Sequence, residues 1–141
     1  MSDSSAKFIL QDAPGTGFVI YRPLVPIDSA ADLLNRIAAT ARFAREHEAR
    51  AILFDVRGVP CGASVAQLYQ MAYRDSAIQG FSADWRYAFL ASVGDTSQEF
   101  LETVYTNAGY DAKLFTDEQQ AHAWLIQGRD RQSPSRRAAN R

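Results

Sequence analysis

A-I-L-F-D-V, Ala51 to Val56, is an almost unbroken apolar run of strand length. A strand that is apolar on both faces is covered on both, as in the parallel sheets of α/β folds. On its N-terminal side Ala30, Leu33, Leu34, Ile37, Ala41 and Ala44 recur at helical spacing behind Asp28 and Ser29, either of which can cap. Arg36, Arg42, Arg45, Glu46 and Glu48 fall on the opposite, solvent-facing side of that helix. Before it, K-F-I-L-Q (Lys7 to Gln11) and G-F-V-I-Y (Gly17 to Tyr21) flank the turn-rich Asp12 to Thr16, which predicts an antiparallel hairpin stopped by Pro23 and Pro26.

On the C-terminal side, R-G-V-P-C-G-A leads to Ser64, which can cap a helix reaching about Gln79. Leu68, Tyr69, Met71, Ala72 and Tyr73 supply its apolar contacts, and Gly80 ends it with Phe81 packing back. Trp85 to Val93 is a second buried strand. Thr96 and Glu99 stand in capping-box register before the stripe Phe100, Leu101, Val104, Tyr105 and Ala108, which Gly109 closes. Ala112 to Phe115 is a last short strand. Thr116, with Gln119 in box register, then opens a final helix facing inward with Ala121, Trp124 and Leu125. The expected fold is α/β: a mixed, mostly parallel sheet of about five strands with an N-terminal antiparallel hairpin and four helices.

An apolar fraction of 47% in 141 residues is ample for one core. Gly128 to Arg141 carries five arginines against one acid, Asp130, a balance of +4, which leaves −5 on residues 1–127. With no apolar residue larger than alanine, 128–141 is expected to be a disordered basic tail on a domain spanning 1–127. The overall charge of −1 disfavours nucleic acid as a partner of the chain as a whole, although the tail itself is read either as a solvated extension or as an arm for nucleic acid or an acidic partner. Cys61 is the single cysteine, so neither an internal disulfide nor a cysteine-cluster zinc site is expected. The N-terminus lacks a signal-peptide pattern, and no apolar run nears the roughly 18 residues that span a bilayer. A cytoplasmic protein without membrane insertion is the expectation.

The strand Ala51 to Gly58, the helix Y-Q-M-A-Y (Tyr69 to Tyr73), F-L-E-T-V-Y-T-N-A-G-Y (Phe100 to Tyr110) and K-L-F-T-D-E-Q-Q-A-H-A-W-L (Lys113 to Leu125) carry a resemblance. In this order they resemble the STAS domains, and more narrowly the SpoIIAA-like bacterial group, whose fold is related to the CRAL-TRIO lipid-binding domains. The resemblance covers about Lys7 to Leu125. It implies a non-enzymatic regulatory or protein-interaction module, its partner another protein or a second copy in a homodimer. Through the CRAL-TRIO relationship it implies, alternatively, a carrier or sensor of a small apolar or lipid-like ligand. Phosphorylatable STAS antagonists carry an Asp-Ser-Ser-Gly-type turn where this chain reads V-P-C-G-A-S-V-A-Q, Val59 to Gln67, with only Ser64 near the switch serine.

The loop after the central strand is the candidate site, since ligands of α/β sheets gather at the carboxyl ends of strands. Asp55, Arg57, Gly58, Cys61, Gly62 and Ser64 belong to it. It is read in two ways. Helix-start N–H groups and Arg57 would hold an anion or a partner, or the glycines only permit the turn and Ser64 only caps. A helix start and a nearby arginine would activate the Cys61 thiol. A phosphatase-type loop, however, needs an arginine where Gln67 stands, so an inert cysteine is expected. His47 and His122 have no acid–base partner set, and no metal spacing, nucleotide fingerprint or nucleophile elbow occurs. No catalytic residue, metal or cofactor is implied. Trp85, Trp124, Tyr69, Tyr73 and Tyr105 are read as core, or some of them as lining an apolar cavity.

Overall fold

The computed structural model describes residues 6–131. The hairpin forms from β1 (Phe8–Ala13) and β2 (Phe18–Pro23), closing with Ala13 opposite Phe18. Then follow α1 (Ala30–Glu46), β3 (Ala51–Asp55), α2, β4 (Arg86–Leu90), α3 (Phe100–Asn107), β5 (Asp111–Phe115) and α4 (Glu118–Arg131). Helix α2 is α-helical over Val65–Gln70, widens to a π turn over Met71–Asp75 and ends over Ser76–Ile78. The sheet order is β1-β2-β3-β4-β5, with β1 antiparallel to β2 and every other pair parallel. This is the expected α/β architecture of five strands and four helices.

Successive strands of the parallel part lie side by side, so crossovers of one hand place α1, α2 and α3 on one face. The core follows that division. Val19, Ile52, Tyr87 and Phe89 pack with Leu33 and Ile37 of α1, Leu68 and Met71 of α2, and Leu101 and Val104 of α3. The alternate residues Phe18, Ile20, Leu53, Ala88 and Leu90 pack with Ala121 and Leu125 of α4. The apolar run at Ala51 is thus apolar on both sides because α1 to α3 cover one face and α4 covers the other.

Several expected roles are corrected. Arg36 is 2% exposed rather than on the solvent face of α1. Ala30, Leu34 and Phe100 are exposed although they continue the apolar stripes, and Trp124 is only half-buried. Tyr69 and Tyr73 point outward on α2 and stack on each other at 6.0 Å. The Thr96 box gives way to a 3-10 turn (Thr96–Gln98), and α3 starts after Glu99, which makes no side-chain cap. Asp117, not Thr116, caps α4, its Oδ1 accepting from the Gln119 and Gln120 N–H groups at 2.8 and 3.2 Å. The α4 backbone stays helical through Arg131, four residues past the expected domain end at Gln127. The remainder of the basic tail lies outside the described residues.

The π turn is followed by Ser76, whose Oγ lies 2.7 Å from the Tyr105 hydroxyl in a buried hydrogen bond that ties the end of α2 to α3.

Candidate functional site

Side-chain alternation along β3 separates the residues that the sequence groups into one loop. Asp55 shares a face with Ala51 and Leu53, on the α4 side. Arg57 grips it there, Nε on Oδ1 and Nη2 on Oδ2, both at 2.8 Å, and Arg22 Nε adds a bond to Oδ2 at 3.1 Å. Arg57 Nη2 also reaches Glu118 Oε1 at the start of α4 at 3.3 Å. Burial alone would raise the Asp55 carboxyl, but the bonds from Arg57 and Arg22 outweigh it and hold the group below the usual carboxylate range. Asp55 and Arg57 therefore form a clamp that ties β2, β3 and α4 together, and the guanidinium is already committed to two carboxylates.

The rest of the loop runs over the opposite edge. Gly58 turns with a φ of +80°, and its N–H donates to Ser92 Oγ at 3.1 Å, joining the ends of β3 and β4. Gly62, also at φ +80°, is pressed so closely against the Pro26–Ile27 backbone that a Cβ there would collide with it. The adjoining Ile27 N–H donates to the Cys61 carbonyl at 3.2 Å. Ser64 caps α2 in a complete box: its Oγ accepts from the Gln67 N–H at 3.1 Å, and Gln67 Oε1 accepts from the Ser64 N–H at 2.8 Å. The two glycines and Ser64 thus serve the turn and the cap. Asp55 and Arg57 are not brought together with Cys61 into one site.

Cys61 instead helps to wall a cavity of about 70 Å³ between the sheet and helices α1, α2 and α3. Ile37, Met71 and Leu101 line it from the three helices, and Phe54 and Phe89 from the sheet. Phe54 sits in mid-sheet yet is only half-buried, because its ring borders this space; it stacks on Phe89 at 5.0 Å. The segments Pro23–Ile27 and Val59–Cys61 complete the wall at the carboxyl ends of β2 and β3, and Val25 and Pro60 are exposed there. Burial pushes the Cys61 thiol above its ordinary pKa, against a weaker pull from the Ala63 backbone N–H, so it is protonated at neutral pH and a poor nucleophile.

The polar groups of the wall are mostly tied up. Arg36 Nε and Nη2 hold Asp32 at 3.0 Å each, Nη2 reaches the Pro26 carbonyl at 3.3 Å, and Nη1 donates to the Val25 carbonyl and to the Tyr21 hydroxyl, both at 3.1 Å. Gln98 Nε2 donates to the Val59 carbonyl at 3.0 Å, which holds one rim of the cavity down. Thr40 Oγ donates to the Arg36 carbonyl at 2.7 Å.

Sequence reasoning foresaw Tyr105 as a possible cavity residue but missed Tyr21, Arg36 and Phe54. Asp32 and Arg36 did leave a signal: an i,i+4 ion pair whose members alternate with the buried Leu33 and Ile37. No family model, curated protein or solved structure matches the chain. Among the described residues, no group of acidic, histidine and cysteine side chains could hold a metal ion, and no helix is long and apolar enough to cross a membrane.

Proposed function

We propose that the chain is a non-enzymatic, STAS-like binding module that takes a small apolar or lipid-like ligand into the cavity at the carboxyl ends of β2 and β3. The cavity carries this reading: about 70 Å³ bounded by Ile37, Phe54, Met71, Phe89 and Leu101, with most of its polar neighbours, Arg36 and Gln98 among them, engaged in bonds of their own. A dry apolar cavity of roughly 150 Å³ holds benzene, so this one suits a smaller group or the end of a chain entering past Val25 and Pro60. A non-enzymatic role is supported by the protonated Cys61 and by the commitment of Arg57 to Asp55 and Glu118. Xenon under pressure is the direct test. Saturable shifts should appear at the side chains of Ile37, Met71 and Leu101 and leave Leu125, across the sheet, unmoved. Linear, non-saturating shifts spread over both faces would sink the reading.

A protein-docking role has its own supporting observation. Helix α2 turns Leu68 and Met71 to the cavity and Val65, Tyr69 and Tyr73 to solvent, with Tyr73 56% exposed. Positions 65, 69 and 73 form one stripe at i,i+4 spacing, on the helix that the occupant of the cavity would touch. If the stripe docks a second copy, sedimentation should show a concentration-dependent dimer that Tyr73→Glu dissolves. A chain that stays monomeric at high concentration removes the homodimer from consideration.

A further inference from the structure

Tyr21 and Arg36 together restrict what the cavity can accept. A guanidinium has donors and no acceptor, so in the 3.1 Å contact Arg36 Nη1 must donate and the Tyr21 oxygen must accept. The proton of the Tyr21 hydroxyl then points elsewhere. No described residue accepts it, although Tyr21 is only 7% exposed and lines the cavity. A buried hydroxyl proton without an acceptor is costly, and the cost is removed if the occupant supplies one.

The neighbouring wall sharpens the choice. All five Arg36 N–H groups are engaged by Asp32, Tyr21, Val25 and Pro26, so none remains for a ligand. The buried Arg36–Asp32 pair is electrically balanced, and no uncompensated cation waits for an anionic head. The Tyr105 hydroxyl is already bonded to Ser76 Oγ. Resting on the cavity reading above, we propose that the ligand is a neutral, mostly apolar molecule with one oxygen acceptor of the ketone, aldehyde or ester class, which takes the hydrogen bond offered by the Tyr21 hydroxyl. Tyr21 is then the residue that selects among apolar guests.

Acetone and isobutene test this, because they share a shape and differ in C=O against C=CH₂. Their affinities are measured by chemical-shift titration with the native chain and with Tyr21→Phe. Comparing the ratio of the two affinities in each protein cancels the different cost of removing each probe from water. The acetone-to-isobutene ratio should fall about tenfold in Tyr21→Phe, the worth of one buried hydrogen bond. A ratio unchanged by the substitution, with isobutene still binding, overturns the role of Tyr21 and leaves the cavity reading standing. Failure of both probes to bind the native chain overturns both. A second measurement needs no variant. The infrared carbonyl stretch of acetone bound to the native chain should lie below that of acetone in hydrocarbon solvent, and a stretch at the hydrocarbon value would equally reject the proposal.

Discussion

Arg36 shows what a single residue type hides. Its charge places it on the outer face of α1 in any pattern-based reading, and a buried arginine is rare unless paired. The pairing is local: Asp32 one turn earlier takes two of its N–H groups, and two carbonyls of the Pro23–Ile27 segment take two more. These bonds make Arg36 the post that holds one rim of the cavity to α1. Removing one member of a buried ion pair strands the other, so Arg36→Ala should lower stability by about 3–5 kcal/mol in urea unfolding. Replacing both partners by apolar side chains of similar volume, Asp32→Leu with Arg36→Met, should cost distinctly less than the single change. If Arg36→Ala unfolds within about 0.5 kcal/mol of the native chain, the pair is not buried as described. The i,i+4 spacing of Asp32 and Arg36 was visible in the sequence. That the aromatic Tyr21 of β2 would complete their environment was not, because it depends on tertiary packing.

Helix starts are the elements on which local sequence spoke most unevenly. Three expected helix starts spell a capping box: Ser64 with Gln67, Thr96 with Glu99, and Thr116 with Gln119. Only the first forms as spelled. At the third, Asp117 stands one residue later and its carboxylate takes the N–H groups of Gln119 and Gln120, so α4 begins at Glu118. At the second, Gln98 is drawn into the core toward the Val59 carbonyl, and the chain makes a 3-10 turn before α3. A long-range contact there overrides a local preference. Ser64→Ala should therefore cost about 1 kcal/mol in thermal or urea melts and Ser64→Asp only a few tenths, since aspartate also caps. Thr116→Ala should stay within about 0.5 kcal/mol of native. Equal losses for Ser64→Ala and Thr116→Ala would refute this assignment of the caps. The same unevenness marks α2: Leu68, Met71 and Ala72 were legible as its inward face, but Tyr69 and Tyr73, read with them, turn to solvent, and the π turn leaves no local signal.

Strand and helix order over the whole molecule could be read from Ala51 to Val56 outward, because apolar periodicity and glycine stops act locally. The cavity could not, because it is defined by what the sheet, three helices and two connecting segments fail to fill. The sheet also splits the anticipated site, sending the Asp55–Arg57 clamp to one face and Cys61 to the other. This layout sets how stability should depend on pH. On the acid side, burial would raise Asp32 and Asp55, but the bonds from Arg36 to Asp32 and from Arg57 and Arg22 to Asp55 more than offset it and keep both below the usual range. Each carboxylate thus favours the folded state fully above the unfolded value of about 3.9, and that contribution is lost as pH falls through the lower folded value. On the alkaline side, burial raises the hydroxyls of Tyr21, Tyr87, Tyr105 and Tyr110. The unfolded chain gives up these protons first, from about pH 10, so stability falls as pH rises beyond that point. The melting temperature should accordingly fall on either side of a plateau, below about pH 4 and above about pH 10. Asp55→Asn should flatten the acid limb, since the neutral side chain has no ionised form to lose. Phenolate absorbance from the buried tyrosines should rise together with the loss of far-ultraviolet circular dichroism. An acid limb as steep in Asp55→Asn as in the native chain would show that the clamp between β2, β3 and α4 carries no linked proton. Full phenolate formation in a chain still folded would show that the aromatic core admits charge.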